Sequence, residues 1–414
     1  MLSLDRRSLL GGALLTPAVL ALPKLALGAN RALPPAITPA ERLARLAKAR
    51  ALMQREGLGA ILIEPGASLD YFTGVRWSRS ERLTAALIPA QGEPIIVTPF
   101  FEQPSVAESL GIPAEIRTWD EHDEPLKLVA DWLRERKLTA APLGIEETNR
   151  FFIVDRLKAQ LPRITMRNAN AVVRGCRMIK SPAELALMQA ASDITIEAIR
   201  DTHVKLREGM TPDDISTLLE TGMVARGGSS PWALVLLGEA SAYPHGSGKP
   251  QAVKRGEVVL IDTGCAMRGY QADISRSFVF GADPTREQRR VWDQVAQGQK
   301  IAMQAARPGA TAGSVDDAVR GAYARWGYGP DYKLPGLSHR TGHGIGMEGH
   351  EPVNLVRGET TRLAPGMCFS NEPGIYLPGK FGIRLEDCFH MTLGGPRWFS
   401  RPPVSIDDPV GSRA

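Results

Sequence analysis

Gly256-Glu257-Val258-Val259-Leu260-Ile261-Asp262-Thr263-Gly264 returns, at a constant offset, as Gly366-Met367-Cys368-Phe369-Ser370-Asn371-Glu372-Pro373-Gly374. In each copy a glycine opens an extended apolar run, an acid closes it, and a second glycine follows. Each copy is trailed by another acid in a strand-like context: Asp273 in Ala272-Asp273-Ile274-Ser275, and Glu386 in Ile383-Arg384-Leu385-Glu386. Two half-units that each present two acids at strand ends predict a pseudo-twofold arrangement. Facing each other, they bring four carboxylates into one place.

Four carboxylates that close repel, and an unpaired buried charge is too costly to keep. Such a cluster persists when cations neutralise it. Oxygen donors with one imidazole suit Mn²⁺, Co²⁺ or Fe²⁺ better than a closed tetrahedral zinc site. Four acids and one histidine can hold two divalent ions if two of the acids bridge. Ions about 3.5–4 Å apart can share and activate a water while polarising a substrate carbonyl.

The imidazole is sought among His245, His339, His343 and His350, which lie near these motifs. His343 sits in Gly342-His343-Gly344-Ile345-Gly346, where small neighbours allow a ligand and backbone to approach closely. His339 and His350 flank it, and His245 precedes the first copy in Tyr243-Pro244-His245-Gly246-Ser247. His122, His203 and His390 lack such company and read as ordinary surface or packed histidines.

Outward from the repeat, the chain divides in two, as its 414 residues lead one to expect. Residues 38–170 alternate helical and strand patterns. Thr38-Pro39-Ala40-Glu41 reads as a capping box opening a helix with Leu43, Leu46, Ala47 and Leu52 on its apolar face. Apolar runs follow at 60–63, 85–88, 94–97 and 116–119, with helical stretches at 104–110, 126–136 and 150–161, so this is an α/β domain. Ser181-Pro182-Ala183-Glu184 caps a long helix and opens the second domain, residues 180–393, with the boundary between Asn170 and Ser181. Thr211-Pro212-Asp213-Asp214 starts another helix. Residues 394–414, Pro-rich and polar, read as a C-terminal surface extension.

Composition, 43% apolar and 23% charged, is that of a globular chain. The net charge of +5 owes something to Arg6, Arg7 and Lys24, and no Lys/Arg block points to nucleic acid. Four cysteines without CxxC spacing read as buried free thiols rather than a disulfide framework. Residues 1–29 have a signal-peptide layout: a basic start through Arg6-Arg7, an apolar stretch broken by Pro17, and Ala26-Leu27-Gly28-Ala29. The paired arginines point to twin-arginine export to the periplasm, and the interrupted run is too short for a stable membrane span. The alternative is a leader that stays uncleaved and tethers the chain.

Ile261-Asp262-Thr263-Gly264, Ala272-Asp273-Ile274-Ser275-Arg276, the Gly342–Gly346 loop, Asn371-Glu372-Pro373-Gly374-Ile375-Tyr376 and Ile383-Arg384-Leu385-Glu386-Asp387 together resemble the M24 metallopeptidases. The branch of aminopeptidase P and prolidase is the nearest in character. Tyr71-Phe72-Thr73-Gly74, Ser80-Glu81-Arg82 and Ala85-Ala86-Leu87-Ile88-Pro89 resemble its creatinase-type N-terminal domain, so the likeness spans nearly all of residues 38–393. The resemblance implies an α/β (α+β) chain with a pita-bread catalytic domain and two divalent ions, manganese first, with cobalt, iron or zinc possible. It implies that Asp262 chelates one ion, His343 and Glu372 hold the other, and Asp273 and Glu386 bridge them. A hydroxide shared by the ions would attack the carbonyl before proline, with Glu372 accepting a proton and His245 and His350 steadying the oxyanion. His339 and Arg384 match positions that shape the proline side of the site, and Arg384 reads equally as a partner orienting the acids.

The expected substrates are small peptides with proline second, and the expected assembly is a homodimer or tetramer. Against this stand a non-peptidase of the same fold acting on a small non-peptide substrate, and a silent metal-binding protein. Retention of all five ligand positions argues against metal-free relatives such as creatinase.

Overall fold

Ala60–Ile63, Ala85–Pro89 and Ile95–Pro99 are buried at every position, as strands covered on both faces must be. They are β1, β2 and β3 of a six-stranded sheet completed by β4 (Glu115–Trp119), β5 (Leu143–Ile145) and β6 (Met166–Asn168), in the order β4-β3-β2-β1-β5-β6. The computed structural model describes residues 32–411; the leader read at residues 1–29 lies outside them. Helices α1 (Pro39–Glu56), α2 (Ala67–Thr73), α3 (Gln103–Ser109), α4 (Pro125–Glu135), α5 (Phe151–Gln160) and α6 (Asn170–Arg177) surround this sheet. Ile61, Ile63, Ala86 and Ile88 pack towards α1 and α6, whereas Ala60, Leu62, Ala85 and Leu87 pack towards α4 and α5. The period-2 alternation of strands sends each set to its own core.

Two expectations for this domain change. Leu43 and Ala47 on α1 are exposed, and the buried stripe is Arg42, Arg45, Leu46, Ala49 and Met53. The arginines are inside because each has partners there: Arg42 pairs with Asp70 at 2.9 Å, and Arg45 donates to the Tyr270 hydroxyl of the second domain at 3.0 Å. The segment read as a boundary is helical as far as Arg177, with Val172, Val173 and Cys176 in the N-terminal core.

Ser181 and Thr211 form reciprocal capping boxes with Glu184 and Asp214, and these start α7 (Pro182–Lys205) and α8 (Pro212–Ala225). At Thr38 only half the box forms. Its hydroxyl caps the Glu41 amide, while the Glu41 carboxylate turns to Arg45 and Ser181. After α8 come β7 (Ser229–Leu237), β8 (Val258–Met267), β9 (Tyr270–Gln271) and β10 (Ile274–Val279). Next are α9 (Arg286–Ala305) and α10 (Ala312–Arg325). The second sheet holds β11 (Gly342–Gly344), β12 (Glu351–Leu355), β13 (Cys368–Asn371), β16 (Asp387–Thr392) and β17 (Gly395–Trp398), and β14 (Gly374–Leu377) pairs with β15 (Phe381–Arg384).

The repeat seen in the sequence is a structural one. Residues of α7 and α8 share a core with β7 and β8, and residues of α9 and α10 share another with β13, β15 and β16. Each half is thus two helices behind an antiparallel sheet. The halves meet where Ser275 and Glu386 exchange backbone hydrogen bonds of 3.2 and 3.1 Å. This is the pita-bread architecture, preceded by a creatinase-type α/β domain. Among the described residues, no helix is long and apolar enough to cross a membrane.

The C-terminal segment is not the surface extension its composition suggested. β17 pairs with β16, Phe399 and Val410 enter the core of one half, and Ile406 enters that of the other. Arg200 of α7 binds the carbonyls of Val410 and Gly411, and Arg289 of α9 pairs with Asp407. A polar, Pro-rich strap hides three apolar anchors that composition averages away.

Below the junction lies a fully buried ion pair. Arg276 reaches Asp387 at 2.7 and 3.2 Å and the Glu386 carbonyl at 2.8 Å, and both side chains are 0% exposed. Arg276→Met leaves Asp387 charged without its partner and is expected to cost about 3–5 kcal/mol in urea unfolding. The double variant Arg276→Met/Asp387→Leu is expected to lose less than the two single variants added together.

Candidate metal centre and active site

Each acid is delivered by a strand or strand end. Asp262 lies within β8 and pairs across to Ser275 of β10, with Asp273 immediately before that strand. Glu372 follows β13, and Glu386 precedes β16. His343 lies on β11, between two glycines that let neighbouring strands close in. A Cβ at Gly342 would collide with the Ser370 carbonyl, and one at Gly344 with the Glu351 carbonyl.

The structure brings all five together. Asp262, Asp273 and Glu386 can present oxygens within 4.8 Å of one another, and so can donor atoms of His343, Glu372 and Glu386. Glu386 belongs to both groups. Asp273 also reaches across, 3.6 Å from His343 Nε2, which is 3.3 Å from Glu372 Oε1. The Nδ1 of His343 lies 3.0 Å from the Gly344 carbonyl, so it carries the proton and leaves the Nε2 lone pair facing the acids.

Electrostatics show the strain of this convergence. Burial first, then the charges of Asp262 and Glu372, push the Asp273 carboxyl well above the usual range. Burial and the neighbouring acids do the same to Glu386. Glu372 is pushed up to about 7, mainly by burial. Burial, followed by His350, holds His343 down at about 3, in the neutral form that ligates metals. Asp273 Oδ1 and Glu386 Oε1 are buried and accept no hydrogen bond. An unpaired buried oxygen is costly and calls for a partner. Oxygen donors, one neutral imidazole and two orphaned carboxylate oxygens fit a pair of divalent ions.

The remaining predicted residues fall into two groups. Arg384 is 3% exposed and committed: it donates to Asp262 Oδ2 at 2.6 Å, to the Ser275 hydroxyl at 3.0 Å and to the Tyr376 hydroxyl at 3.2 Å. Of its two readings, the geometry supports the partner that orients the acids. His339 bonds the same Tyr376 hydroxyl at 2.7 Å, and burial, then the Arg384 charge, lower it to about 3. His350 and His245 are exposed. The His350 ring centroid is 4.1 Å from that of His343, and His245 lines a cavity of about 680 Å³ with β7 and the start of α8.

Sequence reasoning missed the residues that hold the acids. Ser275 donates to Asp262 and accepts from Arg384, with Glu386 Oε2 2.8 Å from the same hydroxyl. Ser370 lies 3.3 Å from Glu372 Oε1 and accepts from the His343 amide at 3.0 Å. Each serine sits inside a quoted motif: Ser275 pairs across the strands with Asp262, and Ser370 lies two residues before Glu372, on the same side of its strand. That register is the signal that could have found them.

Comparison with known proteins agrees with this geometry. Residues 186–393 match the model of "Metallopeptidase family M24", and residues 45–179 that of the "Creatinase/Prolidase N-terminal domain". The chain is 33% identical over 360 residues to the probable dipeptidase PepE of Mycobacterium tuberculosis, covering 85% of this chain and 92% of that one. It is 29% identical over 349 residues to an Xaa-Pro dipeptidase of Pyrococcus horikoshii, covering 83% and 93%. The crystal structure of dipeptidase PepE from Mycobacterium ulcerans superposes with a TM-score of 0.81 at 32% identity, over 90% of this chain and 98% of that one. The chain therefore belongs to metallopeptidase family M24, with the creatinase-type domain in front of its catalytic half.

Proposed function

We propose that this metallo-exopeptidase hydrolyses the peptide bond before proline in short peptides. The carrying observation is the convergence of Asp262, Asp273, His343, Glu372 and Glu386 into two ligand groups that share Glu386. The relatives named Xaa-Pro dipeptidase support the substrate class. In this reading Asp262 serves one ion, His343 and Glu372 the other, and Asp273 and Glu386 both. When bound, the ions, Mn²⁺ by preference, supply a shared hydroxide as nucleophile and polarise the scissile carbonyl.

The chain's own groups do the rest. Glu372 accepts the nucleophile's proton, with the Ser370 hydroxyl beside its Oε1. His245 and His350, both exposed, donate to the developing oxyanion. Arg384 and Ser275 fix the Asp262 carboxylate, and Tyr376 links Arg384 to His339. We further propose a homodimer or tetramer, which light scattering reads directly. Export to the periplasm is proposed from Arg6-Arg7 and the apolar stretch after it. Changing both arginines to lysine is expected to leave the protein in the cytoplasmic fraction. Unchanged periplasmic recovery counts against the twin-arginine route.

The test of function is a hydrolysis assay on Mn²⁺-loaded protein, with an Xaa-Pro dipeptide and a matched peptide lacking proline. Proline-selective, metal-dependent cleavage is expected. Asp273→Ala is expected to weaken metal binding by at least ~100-fold and abolish turnover. Cleavage by that variant at the full rate rejects the shared-ligand centre. Loaded metal with no cleavage of any peptide shifts the assignment to a small non-peptide substrate.

The raised carboxyls also set a pH dependence. A carboxyl whose folded pKa lies above its unfolded value stabilises the fold at low pH, and that contribution is lost as pH rises from the unfolded value to the folded one. For Glu372 this loss begins in the ordinary carboxylate range and is complete near about 7, and for Asp273 and Glu386 it continues upwards. His343 and His339 are lowered and act oppositely, but their contribution is complete above the ordinary histidine range. Metal-free protein is therefore expected to lose melting temperature as pH rises from about 6.5 through 7, and the gain from added Mn²⁺ to grow over the same window. A flat metal-free profile there rejects the buried-acid account.

A further inference from the structure

Arg42 and Arg45 of α1 are 8% and 5% exposed, and a charge buried so far requires partners. Arg42 donates to the Asp70 carboxylate at 2.9 Å and to the carbonyls of Asp70 and Tyr71. Arg45 donates to the Tyr71 carbonyl and the Tyr270 hydroxyl, each at 3.0 Å, and lies 3.1 Å from Glu41 and 3.4 Å from Glu184. Its Nε is nevertheless buried and donates to nothing. Both side chains line a cavity of about 60 Å³, together with Asp70, Arg76, Arg268 and Tyr270.

Charge does not balance there. Arg76 reaches Asp70 at 3.4 Å, but that carboxylate is already shared with Arg42. Arg268, on the turn between β8 and β9, donates its Nε to the Pro34 carbonyl at 3.1 Å and makes no ion pair among the described residues. Four guanidinium groups therefore meet only Asp70, Glu41 and Glu184, which leaves one positive charge in excess.

Size narrows what can answer that charge. The cavity exceeds the ~10–15 Å³ that one water needs. It is far below the ~300 Å³ of a pocket for an organic ligand, so a peptide does not fit. A monatomic anion does, and one such ion restores neutrality. Guanidinium is weakly hydrated, which suits it to chloride or bromide.

We propose that this cavity is a halide site, taking one chloride among Arg42, Arg45, Arg76 and Arg268. The ion joins α1 and the segment after α2 to the β8–β9 turn. None of the five metal-ligating residues lines it, so its role is that of a structural joint. The joint bears on the loop after His343, because the Gln271 amide of β9 donates to the Gly346 carbonyl at 2.8 Å.

The test is a titration of chloride against gluconate at constant ionic strength, read by melting temperature on Mn²⁺-loaded protein dialysed free of chloride. Wild type stands beside Arg268→Gln, Arg76→Gln and Arg55→Gln, all three at exposed positions. Wild type is expected to rise saturably with chloride, and Arg55→Gln, remote from the cavity lining, to follow it. Arg268→Gln is expected to raise the half-saturating chloride concentration by about 10-fold or more, the size of one charge-assisted hydrogen bond. Arg76→Gln carries the same reading if Arg268→Gln does not fold. Crystals soaked in sodium bromide are expected to show an anomalous peak against these arginines. The site is overturned by a wild type without a saturable rise, by an unchanged titration in Arg268→Gln, or by an equal shift in Arg55→Gln. Bromide found only elsewhere overturns it as well.

Discussion

Four carboxylates forced into one largely buried space form the constraint on which the rest of this structure depends. Left to themselves they cannot all ionise, and the raised Asp273, Glu372 and Glu386 carboxyls are the direct expression of that conflict. The fold does not relieve it by separating the acids. It fixes them, with Ser275 between Asp262 and Glu386, Ser370 beside Glu372, and Arg384 on Asp262. One guanidinium cannot neutralise four acids, so Asp273 Oδ1 and Glu386 Oε1 remain without partners. A site held rigid and short of positive charge is preorganised for cations.

Holding such a cluster needs more than the strands that carry it. The Arg276–Asp387 pair ties β10 to β16 directly beneath the meeting point of the halves, and Gln299 of α9 and Ser400 of the C-terminal strap also bond Asp387. On the other side, Glu351 accepts from the Met347 and Glu348 amides while Arg177 and Lys180 neutralise it. Arg177 also reaches Ser68 of the N-terminal domain at 2.9 Å. The loop between His343 and His350 is thus braced from the chain that joins the two domains. Arg45, Tyr270 and Glu184 make a second such link. The N-terminal domain, which carries none of the five ligands, still steadies the loop beside them.

What could be read from the sequence follows from how locally each feature is encoded. Asp262, Asp273, His343, Glu372 and Glu386 were legible because metal chemistry demands particular residue types, and the repeat supplied the spacing. The starts of α7 and α8 were legible because a capping box is written in four consecutive residues. The inner face of α1 was not, because Arg42 and Arg45 are buried only by virtue of Asp70, Tyr71 and Tyr270, distant in the chain. The C-terminal strap misled for a similar reason: Phe399, Ile406 and Val410 are spaced for two cores, not for one periodic element. Arg384 left two readings open, since its partner Asp262 is 122 residues away.

The fate of Arg384 explains how the site divides its work. A guanidinium 3% exposed and bound to Asp262 cannot turn to a substrate without leaving a buried carboxylate unpaired, and that cost exceeds what one new contact returns. The same holds for His339, whose ring nitrogens lie against the Tyr376 hydroxyl and the Arg340 carbonyl. Recognition must therefore fall to groups that are not already part of the acid scaffold. His245 and His350, both exposed, are such groups. The buried layer sets the electrostatics and the outer layer meets the peptide, so changes in the outer layer can alter selectivity without disturbing the centre beneath.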